Sequence, residues 1–173
     1  MPTIGNSAMK KMFLTGIAAL SVLTASPVVG ADPLGCFTRT YDRAHLARHP
    51  DQLITAVKLR IYKPPENEAQ YWFGAQFKVR GRSKPLNTGG ACYDVNELDE
   101  RGFTSGVRCI VECDGGGVNV VPHAGGAMMY LKRIRVAECG QDVIDGGDEL
   151  TEGKDDRVFR LDRANAAACK GME

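Results

Sequence analysis

The sequence predicts a mainly β domain: a small antiparallel β-barrel or β-sandwich of about seven to eight short strands, with one short N-terminal helix, stapled by disulfides. Three observations carry this expectation. Apolar and polar residues alternate with period two over short stretches, as half-buried strands require. Glycine- and proline-rich turns punctuate those stretches at regular spacing. Six cysteines, an even number, lie downstream of an export signal, a setting in which thiols pair.

The signal comes first in the chain. Lys10 and Lys11 precede an uncharged run from Met12 to Ala25, Ser26-Pro27 breaks it, and Val29-Gly30-Ala31 presents small residues for cleavage. That order reads as a secretory signal peptide over residues 1–31, leaving 32–173 as a single disulfide-stabilised β domain. The competing lipid anchor at Cys36 is disfavoured, because Asp32 and Pro33 interrupt the apolar run where a lipobox continues it. The run is also shorter than the ~20 residues of a membrane-spanning helix, and no such helix is expected after signal removal. The expected location is periplasmic or extracellular.

Beyond the signal, Arg43 to His49 are reasonable helix formers, opened by Thr40 or Asp42 as cap and stopped by Pro50. The period then changes to two. Val57, Leu59 and Ile61 alternate with Lys58, Arg60 and Tyr62, and Phe73, Ala75, Phe77 and Val79 with Trp72, Gln76, Lys78 and Arg80. Pro64-Pro65 marks a turn, so Leu53–Tyr62 and Tyr71–Arg80 read as a hairpin. Further strands are expected at Ala91–Val95, Ser105–Cys113, Val118–Val121, Ala127–Leu131, Ile134–Ala137 and Arg157–Leu161, with tight turns at Asp114–Gly117 and Pro122–Gly126 and a final helical turn within Arg163–Cys169.

The cysteines constrain how the strands pair. Cys109 and Cys113 lack the matched C-x2-C knuckles of a zinc site, and a redox C-x-x-C is absent from the sequence. If Val95 faces Gly106 across neighbouring antiparallel strands, Cys92 falls opposite Cys109, close enough for a bridge at a non-hydrogen-bonded site. Following the strands onward brings Cys113 and Cys139 to one end of the sheet, and Cys36 and Cys169 remain to tie the two mature ends.

Charge excludes more than it suggests. The chain carries a formal +1, and loss of Lys10 and Lys11 without any acid takes it to −1. Such a domain has no global field for nucleic acid. Local features are better candidates. The hairpin gathers Lys58, Arg60, Tyr62, Trp72, Lys78 and Arg80 on its outward side, a surface suited to an anionic polysaccharide or another envelope component. His45 and His49, one helical turn apart with Asp42 before them, are weak metal candidates. So are Asp145 and Asp148 in the acidic stretch Glu138–Asp156, which fails the EF-hand pattern because Leu150 stands where its glycine belongs. His123 offers a base for catalysis, although no serine or threonine stands in a nucleophile elbow.

The expectation is therefore an exported, non-catalytic binding or inhibitor-type protein without a cofactor. A small hydrolase using His123 or the His45/His49 pair is the alternative, and an irregular calcium-binding acidic loop a third. N-terminal sequencing and mass spectrometry of protein recovered from its host should show a mature chain beginning at Asp32, without acylation of Cys36; a blocked or lipidated terminus overturns the reading.

Overall fold

The computed structural model describes residues 1, 32–64, 70–95, 103, 105–136 and 149–172; the expected signal segment, apart from Met1, and most of the acidic stretch lie outside them. Nine strands follow one another with one helical insertion: β1 (Gly35–Thr40), α1 (Arg43–Arg48), β2 (Ile54–Tyr62), β3 (Tyr71–Val79), β4 (Leu86–Asp94), β5 (Val107–Ile110), β6 (Gly116–His123), β7 (Gly126–Arg135), β8 (Glu149–Thr151) and β9 (Val158–Ala164). One 3-10 turn among the described residues, Ala166–Cys169, follows β9.

The sheet closes. β1 to β7 pair in sequence from β2 onward, β7 pairs with β9, and β9 pairs with β1, giving an eight-strand antiparallel barrel. β8 pairs with the Arg133–Arg135 end of β7, beyond the stretch that pairs with β9. Closure decides between barrel and sandwich, and it leaves no open edge among the eight strands. Inside, Phe37, Phe73, Phe77 and Phe159 are at most 2 % exposed, packed with Leu59, Ile61, Met129, Leu131 and Leu161. The interior is therefore a side-chain core. Charged side chains such as Lys58, Lys78, Arg108 and Arg160 face out. No helix among the described residues is long and apolar enough to cross a membrane.

Several local expectations need correction. The helix does not precede the first strand, because β1 comes before it. Gly35–Thr40 hides its strand character because two successive residues are buried on opposite faces, Phe37 in the core and its neighbour Cys36 under the C-terminal turn, so alternation is lost. The expected pair Ala127–Leu131 and Ile134–Ala137 is one strand, β7. A bulge opposite Gly117/Val118 takes up Lys132, which shifts the apolar parity from Met129 and Leu131 to Ile134. Pro122 and His123 belong to β6, so the turn there is Ala124-Gly125, with Gly125 at φ +75°. In the preceding hairpin Cys113 and Asp114 take positive φ as well as Gly116, at +71°, with Gly115 N–H closing the turn on Glu112 C=O, although glycine was expected to take that role alone. β4 starts five residues before the expected Ala91, because Gly89 and Gly90 disguise it; a Cβ at Gly90 would stand 2.1 Å from the Ile110 carbonyl oxygen. Finally, Glu149–Thr151 of the acidic stretch is a strand whose Leu150 joins the core.

Two bridges are as the register requires. Cys92 stands opposite Cys109 in the β4–β5 ladder, Val95 N–H bonds Gly106 C=O, and the pair is bridged. Cys36 is bridged to Cys169. The third expected pair, Cys113–Cys139, ends on a residue outside those described. The two bridges close loops of very different span, 133 and 17 residues, so chain entropy assigns them about 5 and about 3 kcal/mol. Urea denaturation of Cys36→Ser/Cys169→Ser and of Cys92→Ser/Cys109→Ser should show the larger loss for the first pair; the opposite order would show that native packing around the core bridge dominates.

Candidate functional site

Closure turns the β2–β3 hairpin outward as a convex face, and the register fixes what it displays. Tyr62 stands opposite Trp72, Arg60 opposite Gly74, and Lys58 opposite Gln76. β4 extends the face, with Ala91 opposite Trp72, Gly89 opposite Gly74 and Asn87 opposite Gln76. Trp72 is 40 % exposed, and the Arg60 guanidinium lies 5.2 Å from the centre of the Tyr62 ring. Gly74 and Gly89, lacking side chains, sink the centre of the face. The C-terminal residues Ala168, Lys170, Gly171 and Met172 stand along it, and the result is a groove of about 430 Å³.

The groove is chemically mixed. Trp72 and Tyr62 supply flat apolar surface. Gln76 Nε2 donates to Asn87 Oδ1 at 2.9 Å, which leaves the Gln76 carbonyl and the Asn87 amide of that pair to meet a ligand's hydroxyls. Lys58 and Lys170 bring positive charge from two different elements. Of the six residues singled out from the sequence, Lys58, Tyr62 and Trp72 line this groove, and Arg60 flanks it on Tyr62. Lys78 is exposed on the same strand beyond it. Arg80 departs from the expected face: its Nη2 reaches the carbonyl oxygens of Leu46 and His49 at 3.5 Å, at the C-terminal end of α1, where a cation meets the helix dipole. Gln76 was legible from strand parity, whereas Asn87 depended on the hidden start of β4 and Lys170 on the path of the tail.

A second polar cluster gathers around α1. Asp42 caps the helix by accepting the His45 N–H at 2.7 Å, so its carboxylate serves the backbone. The Tyr41, His45 and His49 rings stack in series, with centroids 4.6 and 4.4 Å apart. His45 Nε2 lies 3.0 Å from Gln52 Oε1, whose amide donates to Ile54 C=O, and His49 Nδ1 lies 3.5 Å from Asp155 Oδ1. Burial raises the Tyr41 phenol above its usual range. His45, His49 and Asp42 are thus committed to stacking, hydrogen bonding and capping; no group of three or more His, Cys, Asp or Glu among the described residues is placed to hold a metal. Asp145 and Asp148 lie outside the described residues. His123 ends β6 exposed at the hairpin tip.

Asp156 anchors this cluster. It is 3 % exposed and accepts the backbone N–H groups of Leu53 and Ile54, where β2 begins. A third, smaller depression on the outside is lined by Arg108, Asn119, Lys132 and Arg133 over Gly116 and Gly117, with Arg133 paired to Glu149 at 2.9 Å.

No protein-family model matches this chain, and no curated protein or solved structure matches it.

Burial holds the Asp156 carboxyl above the usual range, against the pull of its two backbone donors and with Asp155 adding to the rise. A carboxyl raised in the native state binds its proton more tightly there than in the unfolded chain. Its contribution to stability is therefore full below the unfolded value near 3.8 and is lost as pH climbs through the folded one. Denaturation of the wild type and Asp156→Asn across acid to neutral pH should show the wild type's stability falling relative to the variant as pH rises; a constant gap contradicts the assignment.

Proposed function

We propose that the protein is an exported, non-catalytic binding protein for an anionic polysaccharide, which it holds in the outer groove of β2–β4. One observation carries this: a single groove combines exposed aromatic faces, a free-edged amide pair and lysines from two elements, with neither a histidine nor a carboxylate among the described residues that line it. A pyranose ring presents apolar C–H faces for Trp72 and Tyr62, hydroxyls for Gln76 and Asn87, and acidic substituents for Lys58 and Lys170. Retention without bond cleavage fits this set, since glycoside hydrolysis needs a carboxylate pair flanking the bond. The near-neutral chain favours a polysaccharide over nucleic acid, whose binding draws on a broad basic field. Disulfides are consistent with an exported protein, and residues 1–31 as a signal peptide complete the reading.

Retention on immobilised polygalacturonate, with dextran as neutral control, tests it. The wild type should be retained and should release as salt rises. Trp72→Ala should weaken binding about tenfold, the loss of ~1.4 kcal/mol, and Lys58→Gln/Arg60→Gln should do likewise with the fold intact, because exposed charges contribute little to stability. Arg80→Gln should leave retention unchanged. Binding to single-stranded DNA without binding to polygalacturonate, or equal effects of Arg80→Gln and Lys58→Gln/Arg60→Gln, would reject the proposal.

A further inference from the structure

We infer that the Cys36–Cys169 bridge and the missing side chain at Gly74 are positioning elements that build one wall of the groove from the C-terminal tail, so that the groove takes its ligand only while that bridge is closed. The ligand half of this statement rests on the polysaccharide reading; the construction of the wall does not.

The tail's path starts at β9. Asn165 caps the 3-10 turn by accepting the Ala168 N–H at 3.1 Å, and the turn delivers Cys169 to the outer surface of β1 and β2. There Cys169 is fully buried, bridged to Cys36 and 3.6 Å from the Leu59 carbonyl oxygen. Residues 170–172 continue from that anchor. Their backbone bonds, Lys170 N–H to Ala167 C=O and Met172 N–H to Cys169 C=O, fold the tail upon itself. The covalent bridge anchors it on one side, and close contact with β3 seats it on the other.

Gly74 makes that contact. It sits mid-strand between Arg60 and Gly89, a position where glycine weakens a sheet. It is not among the positive-φ glycines, so backbone conformation does not require it. Space does: a Cβ at residue 74 would lie 2.7 Å from the Met172 carbonyl oxygen and 3.3 Å from the Met172 Cβ. The tail is therefore seated directly on β3, one outward position from Trp72, and it brings Lys170 into the lining of the groove that Lys58 also lines. Lys170 thus enters the groove from a segment that a disulfide anchors and Gly74 makes room for.

Trp72 is the only tryptophan in the chain, so its emission and its quenching by acrylamide report on the wall directly. Gly74→Ala leaves the barrel register intact and forces Met172 away. It should red-shift Trp72 emission, raise quenching and weaken polygalacturonate binding roughly tenfold. Cys36→Ser/Cys169→Ser should do the same or more, and Gly153→Ala, where a Cβ meets nothing closer than 3.8 Å, should change neither signal. Wild-type quenching and wild-type retention in folded Gly74→Ala would overturn the inference. Increased quenching in Gly74→Ala together with a wild type that polygalacturonate never retains would establish the wall and reject the ligand.

Discussion

The structure depends on the insertion of β1 between β2 and β9. Without it the remaining strands form a sheet with two unpaired edges; with it the backbone ladder runs through all eight barrel strands and returns to its start. Several independent interactions hold that seam. Phe37 packs inward from β1 while Cys36 is bonded outward to Cys169. Arg163 of β9 lies 4.9 Å from the centre of the Phe37 ring and donates to the carbonyl oxygens of Leu34 and Asp32. Arg39 pairs with Asp162 across the same seam at 2.8 Å. β1 is thus joined to β9 by packing and charge, and to the turn that follows β9 by a covalent bond.

Closure then determines where chemistry is available. An eight-strand barrel has an interior just wide enough for its own side chains, and four buried phenylalanines occupy much of it. Open recesses consequently lie on the outside, where a convex sheet offers little shelter. Shelter arises where side chains are missing, at Gly74 and Gly89, and where another segment stands beside the sheet, as the tail does. The groove and the seam share a component, because the bridge that secures β1 also places the tail. The wall of the groove and the closure of the barrel are coupled through Cys36 and Cys169.

Legibility followed the number of covered faces. Val57, Leu59 and Ile61 in β2, and Phe73, Ala75 and Phe77 in β3, each have one buried and one wet face, so their alternation revealed the hairpin and the outward set Lys58, Tyr62 and Trp72. β1 buries the successive residues Cys36 and Phe37 on opposite faces and gave no alternation. β7 kept its strand but lost its parity at Lys132, since a bulge adds one residue to one side of a ladder whose side chains repeat every two. Arg80 shows the same limit at the level of a side chain: strand parity placed it outward, but the carbonyl groups at the end of α1 attract it away from the face. His45, His49 and Asp42 have the spacing of ligands, yet the cap, the ring stack and Gln52 already use them.

The amino-acid sequence alone pointed to the class, the β2–β3 hairpin, a helix capped by Thr40 or Asp42, and the register that sets Cys92 against Cys109, because each of these follows from residues near one another in the chain. The tertiary structure decided the rest. Closure into a barrel, the burial of Asp156 beneath the start of β2, and the convergence of Lys58 with Lys170 bring together residues more than a hundred positions apart. Such meetings depend on the summed twist and stagger of all eight strands, a property of the whole sheet that no local pattern encodes.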